Sequence, residues 1–390
     1  MPMPSGSSIP GRSPGGTTRR RRGAMAAVAV LVLGFAATAG VLAMRDPRPA
    51  MPSEAAATSA MPLAVLGDSN SHSYQDGLAF PPGSGARGGE FHATTLQWTE
   101  VLARLRGREI DPGRWVEWGR SGLAAKVGTV LGLSLGRVPR KQDHLYNFAV
   151  SGAICSHLTE GTQRQAQRLA TLMADDPGRW RDGVVVIRIG LNDWAGLLDA
   201  QSRRVDAADL PETRDTIARC TAQMGEAIRR VRAVVPDVRI VLVGVADESA
   251  DPETFERWNS QAETDNIRAA LARFNGAIER LAKATPGAIF FDDDAWVRRT
   301  WGSRDAQGRP AYRTVPIGTA LRVTNTAGDA PRHAILADHH AGLVYNTLWT
   351  QSLIEHLRAG FGLPLTPITD ADVTHFIEAT LATASTTPKP

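Results

Sequence analysis

Ser69 closes the tripeptide Gly67-Asp68-Ser69, directly after the apolar run 62–66. A strand that ends in Gly and then Ser presents the hydroxyl at the carboxyl edge of a sheet, where open α/β folds place their ligands. A serine hydroxyl attacks a carbonyl only with a base in hydrogen-bond reach and donors facing the oxyanion that forms. Nine histidines are available as that base, and two of them, His339 and His340, follow Asp338. Gly152 closes the stretch 147–152 (NFAVSG), and with no side chain it lets a backbone N–H approach a ligand closely. Asn192, in Gly190-Leu191-Asn192-Asp193, carries a carboxamide that donates to an oxyanion without adding charge. Each feature also has an ordinary reading. Ser69 alone is a surface or capping residue, Gly152 a strand-to-helix turn, and Asn192-Asp193 a helix cap or Asx turn. Taken together they point to acyl-transfer chemistry.

Such residues need a frame to hold them. Apolar runs suited to buried parallel strands fall at 62–66, 145–150, 183–190, 238–245 and 288–291. Helical stripes lie between them. Trp98, Val101, Leu102 and Leu105 share one face, as do Ile217, Met224, Ile228 and Val231. Ile267, Leu271, Phe274, Ile278 and Leu281 form a third stripe, and a last helix is expected over 343–357. Strands alternating with helices predict a parallel, doubly wound sheet. Residues 107–144, rich in Gly and Arg, read as an insertion before the second strand.

The ordered set of Gly67-Asp68-Ser69, 147–152, 190–193 and Asp338-His339-His340 resembles the SGNH/GDSL hydrolase superfamily. The resemblance implies an α/β fold, a flavodoxin-like three-layer α/β/α sandwich with a five-stranded parallel sheet. That domain is expected over 61–365, with a C-terminal segment at 366–390. It implies Ser69 as nucleophile, and Gly152, Asn192 and the Ser69 backbone N–H as the oxyanion hole. Asp193 and His72 are expected to serve structure. His340 is the implied base, because Ala341-Gly342 and an amphipathic helix follow it as in the family's final block. That block reads Asp-x-x-His, but residue 337 is Ala, so Asp338 gives Asp-x-His and is the expected orienting acid. Asp292, Asp293 and Asp294 are substitutes for it, and His339 is an alternative base. The activity implied is hydrolysis of a carboxylic ester, from a small molecule, carbohydrate or lipid, through an acyl-enzyme and without a cofactor. Transfer of the acyl group to a cell-envelope sugar is one alternative, and a non-catalytic envelope binding protein is another. In this strand order the helices after the second and third strands share a face and carry Cys155 and Cys220. A disulfide between them is therefore expected in an oxidising compartment, with two buried free thiols as the alternative.

The net charge is +4 and the pI about 9.4, but the excess is local. Residues 1–60 carry seven arginines against two acids, so the other 330 residues sum to −1. The body has no basic excess, which removes the electrostatic case for nucleic-acid binding. Residues 1–23 read as a disordered basic N-terminus, and 45–60 as a linker. Between them, 24–44 is an uncharged span behind the arginines at 19–22, long enough to cross a bilayer. It reads as a transmembrane signal-anchor, N-inside, or as a cleaved signal peptide; either way the catalytic part is exported. Gly132-Leu133-Ser134-Leu135-Gly136 matches the G-x-S-x-G elbow. It lacks a strand before it, and Pro139 opposes a helix after it, so Ser134 is not expected to be a nucleophile. Two cysteines without metal spacing, and no H-E-x-x-H, give no metal site, and there is no phosphate loop of either common type.

Overall fold

Residues 60–120 and 137–385 are described by the computed structural model. The first strands are β1 (Met61–Gly67), β2 (Ile110–Asp111), β3 (Trp115–Trp118) and β4 (Lys141–His144). β5 (Val184–Arg188), β6 (Arg239–Val243) and β7 (Ala288–Phe291) follow. The central sheet has five strands in the order β2-β1-β5-β6-β7, every pair parallel. This is the flavodoxin-like order expected from the sequence. Side chains alternate across it, as strand geometry requires. Ala64, Leu66, Val185, Ile187, Ile240 and Leu242 enter one core, whereas Leu63, Val65, Val184, Val186, Val241 and Val243 enter the other.

Both faces are therefore apolar, and helices cover each. The longer helices are α1 (Trp98–Arg106), α2 (Gln165–Asp175), α3 (Pro211–Arg232), α4 (Gln261–Lys283), α5 (Asp293–Trp301), α6 (Leu343–Phe361) and α7 (Asp370–Ser385). Leu169, Met224 and Phe274 carry α2, α3 and α4 onto the first face. Trp98, Trp296, Trp349 and Ile377 carry α1, α5, α6 and α7 onto the second. Local chemistry sets the helix ends. Pro211 opens α3, a Ser260/Glu263 capping box starts α4, and Gly362 at φ 66° ends α6.

The sequence reading errs at the second strand. Residues 145–150 form no strand; the outer edge of β1 is shared by two segments in turn. Met61 and Pro62 pair with β2, and the chain then passes through the antiparallel β3–β4 hairpin. On its return Asn147 bridges Val65, Phe148 N–H donates to Val65 O (2.8 Å) and Val150 N–H to Gly67 O (3.1 Å). Asn147 bends this segment by accepting Ala149 N–H at 3.0 Å and donating to Ser71 O at 2.7 Å. The region read as an insertion thus contains the edge strand and the hairpin; Gly132–Gly136 and Ser134 fall outside the described residues.

Residues 302–335 add an antiparallel hairpin, β8 (Gly302–Arg304) with β9 (Pro310–Tyr312). They also add a three-stranded sheet of β10 (Thr314–Ile317), β11 (Leu321–Ala327) and β12 (His333–Ile335), which delivers the chain to His340. No described helix is long and apolar enough to cross a membrane. The readings for 1–23, 24–44 and most of 45–60 concern residues outside those described.

Cys155, in a turn after Gly152, is bonded to Cys220 on α3, a separation of 65 residues. Denatured, unreduced protein is expected to show no titratable thiol. The Cys155→Ala/Cys220→Ala pair is expected to lower unfolding free energy by about 2–4 kcal/mol, the usual worth of such a link. Urea unfolding measures the loss, and two free thiols in the titration would reject the bond.

Candidate active site

β1 ends where its neighbours leave room for only one residue type. A Cβ on Gly67 would lie 2.6 Å from Arg188 O on β5. Gln165 holds the same glycine from α2, accepting its N–H at 2.8 Å and donating to its carbonyl at 2.9 Å. Asp68 then turns the chain. Its Oδ1 accepts Asn70 N–H at 2.9 Å, and its carbonyl accepts Ser71 and His72 N–H, both at 3.1 Å. Burial pushes the Asp68 carboxyl up to about 6 against the Asn70 bond and the Arg188 charge, and its Oδ2 has no partner among the described residues. Ser69 stands at the apex of this turn. Gln97 Nε2 donates to its carbonyl at 3.1 Å, while its hydroxyl and N–H have no partner among the described residues.

Two other chain segments bring donors to the same edge. The return segment runs beside β1 with Val150 opposite Gly67, so Gly152 travels in step with Ser69. Gly152 adopts φ 76°, a Cβ there would face open space, and its N–H is undonated among the described residues. On the other side Asp68 N–H donates to Arg188 O at 3.3 Å, and Asn192 lies one turn past β5 in the helical turn Leu191–Trp194. Asn192 Nδ2 donates to Ala153 O at 2.9 Å, which ties it to the Gly152 loop and leaves its second N–H unused. Asp193 is spent on structure, accepting Cys155 N–H at 2.7 Å.

His340 arrives from β12. Leu336 N–H donates to its carbonyl at 2.7 Å, and Tyr74 Oη donates to the next carbonyl, Ala341 O, at 3.0 Å. Its Nδ1 lies 2.7 Å from Asp338 O and 3.1 Å from Asp338 Oδ1, so Asp338 offers two acceptors for one Nδ1 proton. Nε2 has no partner among the described residues. Burial raises the Asp338 carboxyl, but the hydrogen bond and charge of His340, followed by Arg87, outweigh it and hold it well below the usual carboxylate range. The three alternative acids are engaged elsewhere. Asp292 caps α5, Asp293 accepts from Arg188 and Trp349, and Asp294 pairs with Arg298 and accepts Asp247 N–H. His339 turns its backbone into the left-handed region at φ 64° and lines the cleft.

Beside these segments a cleft opens past the carboxyl ends of β1, β5 and β6; Asn70, His339 and Ala341, the chain neighbours of Ser69 and His340, line it, whereas Ser69, Gly152, Asn192 and His340 do not. Asp68, Arg188, Glu248, Asp251, Asp293 and Tyr345 are among the residues on its wall. Burial and the neighbouring acids push Glu248 up to about 8, and burial pushes Asp251 up to about 6. These acids went unread in the sequence because loop carboxylates show no period; only their position after the β6 run offered a signal.

His72 forms a buried structural node behind the cleft. Ser151 N–H donates to its Nδ1 at 3.1 Å, so its proton resides on Nε2, which meets Asp76 Oδ2 at 2.9 Å. Burial and the Lys141 charge push its pKa down to about 4, against the bond to Asp76.

The family model described as GDSL-like lipase/acylhydrolase matches residues 111–312, a span holding Gly152 and Asn192 but neither Ser69 nor His340. No curated protein sequence matches the chain. Among solved structures, a phospholipase A1 from Streptomyces albidoflavus is 15% identical (TM-score 0.38), covering 75% of this chain and 99% of its own. An extracellular lipase from Streptomyces rimosus is 14% identical (TM-score 0.36), with the same 75% and 99% coverage. A salicylyl-acyltransferase from a tetracycline biosynthetic pathway is 14% identical (TM-score 0.34) over 80% of this chain and 58% of its own.

The His72 node predicts a pH dependence. The folded imidazole takes a proton only near pH 4, whereas the unfolded one does so near its ordinary value of 6.5. As pH falls the unfolded chain protonates first, so this stability is complete above about 6.5 and is lost progressively toward about 4. His72→Asn keeps an acceptor for Ser151 N–H and cannot titrate. Between pH 6.5 and 4.5 the wild type should lose about 2 kcal/mol more than this variant, at ~1.4 kcal/mol per pH unit. Urea unfolding at both pH values checks it, and equal losses would reject the assignment.

Proposed function

The chain belongs to the GDSL-like lipase/acylhydrolase family, and from that membership we propose that it is an exported serine esterase working through an acyl-enzyme. One observation carries the reading. Ser69, with an unengaged hydroxyl, shares a sheet edge with three donors lacking full employment: its own N–H, Gly152 N–H and Asn192 Nδ2. In the proposed reaction Ser69 Oγ attacks the ester carbonyl carbon while His340 Nε2 takes the hydroxyl proton. The carbonyl oxygen becomes an oxyanion, held by the three donors. Asp338 keeps the other imidazole proton on Nδ1, so Nε2 stays free to act as base. Collapse breaks the ester C–O bond, and the departing alkoxide takes the proton from His340. Water then attacks the acyl-enzyme by the same route, releasing the carboxylic acid and restoring Ser69.

The substrate class is a carboxylic ester of a small molecule, carbohydrate or lipid. Export is supported by the arginines at 19–22 ahead of the uncharged span 24–44, with the domain outside as an anchored or a cleaved form. The Cys155–Cys220 bond agrees with an oxidising compartment.

A fluorophosphonate should label wild-type protein at Ser69, identified by peptide mapping, and Ser69→Ala should lose turnover on the order of 10⁶-fold while staying folded. A folded Ser69→Ala protein with comparable turnover would remove Ser69 from the chemistry. Asn192→Ala should lower kcat about 10²–10³-fold with little change in KM, because its donor acts on charge present only in the transition state. A loss confined to KM would place Asn192 in substrate binding.

A further inference from the structure

Arg87 is the one buried side chain of its charge on an otherwise open loop. Residues 81–85 are exposed, yet Arg87 is 4% exposed and its backbone lies at φ 54°. A non-glycine residue in the left-handed region costs energy, and such strain gathers where function overrides local preference. The described residues contain three such positions, and two of them, Arg87 and His339, flank the same cluster.

The guanidinium touches both halves of the site. Its Nη1 donates to Asp338 Oδ2 at 2.5 Å, and Arg87 N–H reaches the same oxygen at 2.9 Å. Nη1 also approaches His340 Nδ1 at 2.9 Å. Nη2 donates to Ser151 Oγ at 3.2 Å, one residue before Gly152. Ser151 is fixed from behind, because its Oγ and N–H both lie 3.1 Å from His72 Nδ1 and His72 is locked to Asp76. The planar fork is further sandwiched against Phe80, 4.2 Å from the ring centre, and Tyr74, at 5.3 Å. One rigid cation thus spans from the base and its acid to the loop bearing an oxyanion donor.

We propose that Arg87 is a positioning residue: it sets the spacing between His340 and the Gly152 loop and aligns Asp338 along the imidazole edge. This rests on the esterase reading of the same site. Guanidinium is suited to the task, since its rigid fork carries donors on separate nitrogens to Asp338 and Ser151, whereas an ammonium gathers its three donors at one point on a flexible stem. With the imidazole proton on Nδ1, directed to Asp338, the Nη1 hydrogens serve Asp338 Oδ2. The carboxylate then stands between two cationic edges as His340 takes up the Ser69 proton.

Arg87→Gly tests this with least harm to the backbone, because glycine suits φ 54°. Turnover of a short-chain ester should fall about 10²-fold or more in kcat with KM changed by less than about twofold, the scale of a mispositioned general base. Methylguanidinium added to that variant should restore at least about tenfold, by refilling the vacated space with the same fork. Arg87→Lys should lose about tenfold in kcat and gain nothing from methylguanidinium. A folded Arg87→Gly enzyme with wild-type kcat, or one whose loss lies in KM and is not rescued, overturns the proposal. Should the glycine variant not fold, Arg87→Lys decides, and wild-type kcat there overturns it equally. Fluorophosphonate labelling separates the two levels. A wild type that takes no label at Ser69 fails at the esterase reading and removes the inference with it, whereas a labelled wild type beside an unaffected Arg87→Lys enzyme removes the inference alone.

Discussion

The geometry at Ser69 hangs on one buried ion pair. Lys141 Nζ lies 2.6 Å from Asp143 Oδ2 and 2.6 Å from Ala149 O, with both side chains inaccessible to solvent. Burial pushes the lysine's pKa down, and the Asp143 charge and hydrogen bond oppose it. Asp143 Oδ1 in turn accepts Ser73 Oγ at 2.6 Å and Asn147 Nδ2 at 3.1 Å. One carboxylate therefore joins three pieces of chain: the loop after β1, the β3–β4 hairpin and the return segment. Such a pair adds little net stability, but losing one partner strands the other, at a cost of about 3–5 kcal/mol. The backbone bonds to β1 keep Ser69 and Gly152 in step, and this anchor ties the segments bearing them together from behind.

The constraint spreads through Glu100. That buried carboxylate accepts Tyr74 and Gln75 N–H, both at 3.1 Å, and Gln97 N–H at 2.7 Å. Tyr74, so fixed, reaches across to Ala341 and holds the chain beside His340. A path of filled hydrogen bonds thus leads from the hairpin to the chain beside His340, and each step uses a group that would be costly to leave unpaired.

Strands and helices differ in how openly the sequence displays them. β1, β5, β6 and β7 were legible because burial on both faces writes a continuous apolar run. The same rule misled at 145–150, since Phe148, Ala149 and Val150 are buried and bond the edge of β1 yet form only an isolated bridge at Asn147, which bends the chain. The true edge strand, Ile110–Asp111, is two residues long, too short for any period to register. At the candidate site, the placement of Ser69, Gly152 and Asn192 at one sheet edge was legible because each follows a run read as buried. Arg87 was not. It meets Asp338 across 251 residues from a loop of Pro and Gly, where neither period nor motif marks a contact. Likewise, Asp-x-His showed where an acid stands but not that its carbonyl lies nearer Nδ1 than its carboxylate.

The Cys155–Cys220 bond divides the making of this protein into two stages. The core layers need only apolar burial, which any aqueous compartment supplies. The loop from Gly152 to Cys155 is different, for it is stapled to α3 and, through Cys155 N–H, to Asp193 beside Asn192. Both loops that carry donors are thus braced by a covalent link that only an oxidant closes. Material made in a reducing cytosol would share the sheet and the helices yet leave this corner unbraced, a difference that secondary-structure content alone would miss. Completion of the corner therefore waits on an oxidant that the polypeptide does not itself supply.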